Sequence, residues 1–177
     1  MEIKDATTLL QSNQINFKEK KTWADLGCGS GTFTKALAHL LELKSVIYAV
    51  DENASALNKI PDLYHQITIQ KTVANFEKGD LPFKNLDGIL MANALHYVKD
   101  KAAFIQKLKP CLNENHCFLI VEYDIGVPVP TWVPYPISFS SLQKLLANLG
   151  YLVIEKLHER PSVFGRGNIY SALIQTN

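Results

Sequence analysis

Residues 22–31 read Thr-Trp-Ala-Asp-Leu-Gly-Cys-Gly-Ser-Gly, and no other stretch of this chain restricts its fold as strongly. Trp23 to Leu26 reads as a short buried strand, and Phe33 to Leu41 as a helix with one apolar face. Between them, Gly27, Gly29 and Gly31 follow a G-x-G-x-G spacing. Glycine there admits backbone at φ > 0 and lets a ligand approach where a Cβ would collide. Asp25 sets a carboxylate at the carboxyl end of the strand, the edge at which open α/β sheets bind ligands. A dinucleotide fingerprint reads G-x-G-x-x-G and rests a pyrophosphate on the helix N-terminus. Here the third glycine comes one residue early, and the acid suits a cationic amine better than a phosphate.

The chain continues with the timing of a βαβ unit. Ser45 to Val50 reads as a second buried strand ending at Asp51, and Asn53 to Lys59 as a short helix closed by Pro61. Ile67 to Lys71 alternates like a third strand and leads into Asn75 and Phe76. Leu86 to Met91 is the fourth strand, followed by Asn93, His96 and Tyr97, with the next helix expected to start near His96. Lys101 to Leu108 is amphipathic, and Cys117 to Glu122 is the fifth strand. Tyr123 to Ile137 then holds four prolines with Trp132 and Tyr135, which reads as an ordered functional loop. Ser138 or Ser140 caps a helix through Leu149 that Gly150 stops. Tyr151 to His158 and Ile169 to Gln175 form a closing hairpin, joined by a loop over 159–167. At the N-terminus, residues 4–13 carry one short helix.

No repeat or linker interrupts the 177 residues, so the expectation is a single domain over 1–177. Its class is α/β: a doubly wound, mostly parallel seven-stranded sheet with helices on both faces and a C-terminal antiparallel hairpin. The net charge of +1 argues against a broad nucleic-acid or membrane-binding field. Three cysteines, Cys28, Cys111 and Cys117, lack metal-like spacing and read as reduced thiols, with a cytoplasmic location expected.

Asp-Leu-Gly-Cys-Gly-Ser-Gly resembles the first motif of the class I S-adenosylmethionine-dependent methyltransferases, and the order of elements resembles theirs over nearly the whole chain. The resemblance implies S-adenosylmethionine as cofactor. Asp25, Gly27, Cys28, Gly29 and Gly31 would hold its methionine end, although Asp25 also suits a turn cap. Asp51, with Glu52 beside it, would take the ribose hydroxyls, or else begin a helix. Asn75 and Phe76 would meet the adenine, with Asp80 as the other candidate for that role. Asn93 would meet the methionine moiety.

Transfer from a sulfonium is an in-line displacement, so alignment in a dry site can supply much of the catalysis. A base is required only when the acceptor arrives protonated. His96 is the candidate catalytic base, its ordinary titration range suiting neutral pH, with a purely structural histidine as the alternative. Tyr97, Tyr123, Trp132, Tyr135, Arg160 and Arg166 are the candidate acceptor residues, the two arginines as a pair gripping an anion. A small-molecule acceptor is expected and a protein acceptor stays open. Met91-Ala-Asn-Ala stands where nucleic-acid methyltransferases carry Asn/Asp-Pro-Pro-Tyr/Phe. A non-catalytic cofactor-binding protein is the competing class, and a nicotinamide oxidoreductase fits the βαβ timing but not Asp25 or the glycine spacing.

Overall fold

Burial along the strands alternates with period two, and this alternation divides the molecule into two layers around a sheet. The structure, a computed structural model, describes residues 1–79, 81–162 and 167–176. Strands β1 (Thr22–Leu26), β2 (Val46–Asp51), β3 (Leu63–Tyr64), β4 (Ile67–Val73), β5 (Leu86–Ala92), β6 (Leu112–Tyr123), β7 (Val153–Pro161) and β8 (Asn168–Gln175) form one sheet. Their order is β3-β4-β2-β1-β5-β6-β8-β7. The pairings from β4 through β6 are parallel, while β8 runs antiparallel to both β6 and β7. The sheet thus has eight described strands rather than seven. The addition is β3, a two-residue edge strand folded back on β4 through His65 and Gln66, both at positive φ.

Trp23, Ile47, Leu90, Leu119 and Leu173 pack on one face with α1 (Ile3–Leu10) and α2 (Thr32–Leu40). Ala24, Val50, Ile89, Phe118 and Ile174 pack on the other with α4 (Lys101–Leu108) and α5 (Phe139–Asn148). The short α3 (Ala54–Leu57) covers Ala49 and Ile69 through Leu57. Polar side chains start three of these helices. Asn53, Asp100 and Ser138 accept from the backbone N–H three residues on, which satisfies donors that a first helical turn leaves open. Gly88 of β5 has its own reason: a Cβ there would lie 2.6 Å from the Trp23 indole.

Only a short 3-10 turn, Leu95–Tyr97, stands where a helix is expected near His96. The regular helix waits for the Asp100 cap. The chain passes from β1 outward to β2 and β4, then returns past β1 to β5, so its topological switch point lies between β1 and β5. Ligands of such sheets bind in the crevice outside the strand carboxyl ends at that point.

Candidate active site

At the crevice, the glycine turn leaves β1 with Gly27, Gly29 and Gly31 at φ of 76°, 54° and 84°. L-residues with side chains rarely adopt such backbone. Gly27 has a second constraint, since a Cβ there would meet the Ala94 Cβ at 2.7 Å. The amides of this turn are already spent. Those of Gly27 and Cys28 donate to the Val50 carbonyl, that of Gly29 to Asp51 Oδ2, and that of Gly31 to the Cys28 carbonyl. A turn whose N–H groups face inward is a poor phosphate cradle.

Acceptors, in contrast, are in surplus. Asp25 shares the Trp23 face of β1 by strand alternation, which brings its Oδ2 to the Thr34 hydroxyl of α2 at 2.6 Å. Its Oδ1 is buried without a hydrogen-bond donor, as is Oδ1 of Asn93. Burial, with Asp51 adding to it, outweighs the Thr34 hydrogen bond and lifts the Asp25 carboxyl to about 7. Orphaned buried acceptors cost free energy until a donor reaches them, and a cation is the donor that repays an acid most. Burial also pushes the Cys28 thiol up, so it is an inert thiol at neutral pH.

A cleft of about 300 Å³ opens over this turn, lined by Gly27, Asp51, Glu52, Asn75, Phe76, Asn93, Ala94 and Tyr97 together with Glu77. Asp51 accepts from Gly29 and Asn53 amides, which leaves lone pairs on both oxygens. Glu52 accepts from the Asn75 side-chain amide, and Asn75 Oδ1 accepts from the Lys78 amide. Asn75 is therefore already engaged as both donor and acceptor. Asp25, Cys28, Gly29 and Gly31 shape the turn but do not line this cleft. Asp80 lies outside the described residues.

Next to it lies a second cleft of about 340 Å³ that shares Asn93 and Tyr97 with the first and adds His96. His96 Nδ1 lies 2.7 Å from Glu122 Oε2, and the His96 amide donates to Glu122 Oε1 at 3.0 Å. Both side chains are buried, at 2% and 1% exposure. A carboxylate can only accept, so in the neutral imidazole the pairing assigns the proton to Nδ1 and leaves a lone pair on Nε2. In the sequence Glu122 reads either as an acid that orients a cationic or hydroxylated acceptor or as an ordinary strand-end acid, and neither reading joins it to His96. It lies 26 residues from His96, and nothing in that spacing announces the pair.

The proline-rich loop is fastened beside this pair. The Tyr135 amide donates to the His96 carbonyl, and Lys101 Nζ reaches the carbonyls of Val98 and Tyr135. Tyr123 and Trp132 line the second cleft and also a third, apolar one of about 330 Å³. Burial, with Glu122 adding to it, pushes the Tyr123 phenol up, so it stays a neutral donor. Tyr135 lines none of the three, its backbone serving as the tie. The arginine pair needs correcting. Because β7 runs on to Pro161, Arg160 sits in a strand rather than a loop and forms an ion pair with Asp5 of α1 at 3.0 Å. It lines none of the three clefts, and Arg166 lies outside the described residues. Among the described residues no group of three or more His, Cys, Asp or Glu side chains could hold a metal, and no helix is long and apolar enough to cross a membrane.

This arrangement has relatives. The chain is 26% identical over 121 residues to Probable polyketide synthase 5 of Dictyostelium discoideum, which covers 68% of this chain but only 4% of that much longer protein. Its fold is similar to that of the plantazolicin methyltransferase BpumL solved in complex with SAH, with a TM-score of 0.70 and 15% identity over 97% of this chain and 82% of that one. It is also similar to an S-adenosylmethionine-dependent methyltransferase from Aquifex aeolicus, at a TM-score of 0.66 and 16% identity over the full length of both. Residues 24–118 match a family described as a methyltransferase domain. That match spans the glycine turn, the cleft above it and His96, and the chain belongs to this methyltransferase family.

Proposed function

We propose that residues 1–177 act as one methyltransferase domain that moves a methyl group from S-adenosylmethionine to an acceptor atom that must first lose a proton. A hydroxyl or an acidic carbon of a small molecule fits that description. The observation that carries the reading is the buried His96–Glu122 pair, 2.7 Å apart, in a cleft that shares Asn93 and Tyr97 with the cleft above the glycine turn. A nucleophile that enters with its lone pair free has no use for such a base.

The cofactor assignment is supported by the orphaned acceptors of Asp25 and Asn93, the carboxylates of Asp51 and Glu52, and the inward-facing amides of the turn. Gly27 and Asn93 would line the amino-acid end, with Asp25 reaching its ammonium directly or through water from behind the cleft wall, Asp51 and Glu52 would take the ribose, and Asn75 and Phe76 the base. When bound, S-adenosylmethionine supplies a methyl already activated by the sulfonium. His96 Nε2 takes the acceptor proton, and the freed electron pair forms the new bond to the methyl carbon. The leaving thioether would carry the C–S electron pair away, so no residue of this chain has to protonate it. Glu122 holds the imidazole in the required tautomer and stabilises the imidazolium. Tyr123 offers a neutral hydroxyl to the acceptor. Resemblance to a plantazolicin methyltransferase and to a segment of a polyketide synthase agrees with a small organic acceptor.

The test is transfer of labelled methyl from S-adenosylmethionine to phenols, β-diketones and primary amines. Transfer to the first two classes, lost by about 10²-fold or more in His96→Ala with unchanged cofactor affinity, is the expected result. Equal turnover by His96→Ala and wild type would sink the base assignment. Binding of cofactor with no transfer to any acceptor would favour the non-catalytic reading.

A further inference from the structure

Beyond His96, on the side away from the glycine turn, lies the apolar cleft of Tyr123, Ile125, Val129, Pro130, Trp132 and Val133, with Ser162 at its edge. It shares Tyr123, Trp132 and Val133 with the His96 cleft, so the three clefts adjoin in sequence with the base in the middle one. We infer that this third cleft holds the body of the acceptor, and that the body it selects is an uncharged carbon chain or ring.

The inference rests on the reading of His96 as base and extends it to the class of substrate. Its first support is charge. None of the described residues lining the second and third clefts is an acid or a Lys or Arg. The nearby ions among the described residues are already engaged. Glu122 is held by His96, Asp124 accepts from Lys156 and from the Phe139 amide, and Arg160 is paired with Asp5. Among the described residues, neither a cationic nor an anionic acceptor body meets a counter-ion in these two clefts, and desolvating its charge would weaken binding.

The second support is that the cleft is built. The loop over it is anchored at one end through Asp124 and at the other through Tyr135, and it closes on itself where the Val129 and Val133 backbones pair. Thr131 turns the chain between them at φ 73°. Ile125, Val129, Pro130, Trp132 and Val133 are thereby held over a volume of about 330 Å³. At the ~30 Å³ that a water-sized group occupies in a liquid, that is room for roughly ten heavy atoms. The part of the body that the cleft covers is therefore short, and any longer chain extends into solvent.

The test is calorimetric titration of the protein, saturated with S-adenosylhomocysteine, with 4-alkylphenols from methyl to octyl. The dissociation constant should fall about fourfold per added methylene until the cleft is full, then level off. Val129→Phe should bring the plateau to a shorter chain, and Trp132→Ala, an exposed position that leaves the core intact, should flatten the slope. A carboxylate on the far end of the chain should weaken binding by more than tenfold. A flat series in the wild type, or a series that neither variant changes, overturns the inference. A steep series without methyl transfer to any phenol would leave the subsite standing and remove the proposed chemistry. Transfer that ignores chain length would do the reverse.

Discussion

The two halves of the crevice are built by different means. Over the glycine turn, the backbone sets the shape: three glycines at positive φ, four amides turned inward and strand-end carboxylates just beyond. Around His96 the side chains do it, and they come from β5's exit, the end of β6 and the proline-rich loop. A site made of dihedral angles tolerates almost no substitution, whereas a site made of side chains can be retuned for another acceptor while the first half stays fixed. One cofactor with many acceptors is the behaviour such a division permits.

The largest effect that would sharpen this contrast is expected at Gly27. A valine there combines a left-handed backbone with a Cβ 2.7 Å from Ala94 and 3.1 Å from Phe76. Cofactor affinity should fall by more than about 100-fold, with αL strain alone costing about 1–3 kcal/mol. Gly29→Ala is its control, because nothing lies within 4 Å of a Cβ there. Only the strain should register, and equal loss in both variants would show that the tight packing at Gly27 is irrelevant. Titration calorimetry and thermal melts read both.

Asp51→Ala comes next. It removes the acceptor for the Gly29 and Asn53 amides as well as the proposed ribose contacts, and should weaken cofactor binding by roughly 1–3 kcal/mol. Unchanged affinity would rule out the ribose role.

A pH dependence follows from Asp25. Its folded pKa of about 7 lies above the ordinary 3.8, so folding without cofactor takes up a proton between those values. The contribution of Asp25 to the stability of the free protein should be greatest below that window, fall as pH rises towards 7, and level off beyond. A cation beside the carboxylate favours the ionised form. Cofactor affinity should therefore rise by up to about tenfold per pH unit below 7 and flatten above it. Asp25→Asn should abolish both slopes, and slopes that survive in that variant would assign them elsewhere.

The smallest effect is expected at a residue that lines neither half. Arg160→Ala breaks a half-exposed ion pair with Asp5, worth about 1 kcal/mol or less. The Michaelis constant for any acceptor should not change. A rise for an anionic acceptor would return Arg160 to the site.

Much of the cofactor half is legible in the order of the amino acids. The G-x-G-x-G turn, the acids closing two strands and the alternation of apolar runs each carry a local physical meaning, because backbone dihedrals and period-two burial are set by neighbours in the chain. The family follows from the same residues. What the tertiary structure alone decides involves pairs remote in sequence. Glu122 meets His96 only because β5 and β6 are adjacent parallel strands whose ends lie at one edge. Asp25 is lifted towards neutrality only because strand alternation buries it beside α2. Arg160 is drawn to Asp5 by the docking of α1 against β7. Local chemistry thus writes the cofactor half into the chain, while the acceptor half exists only where the folded sheet brings distant side chains together.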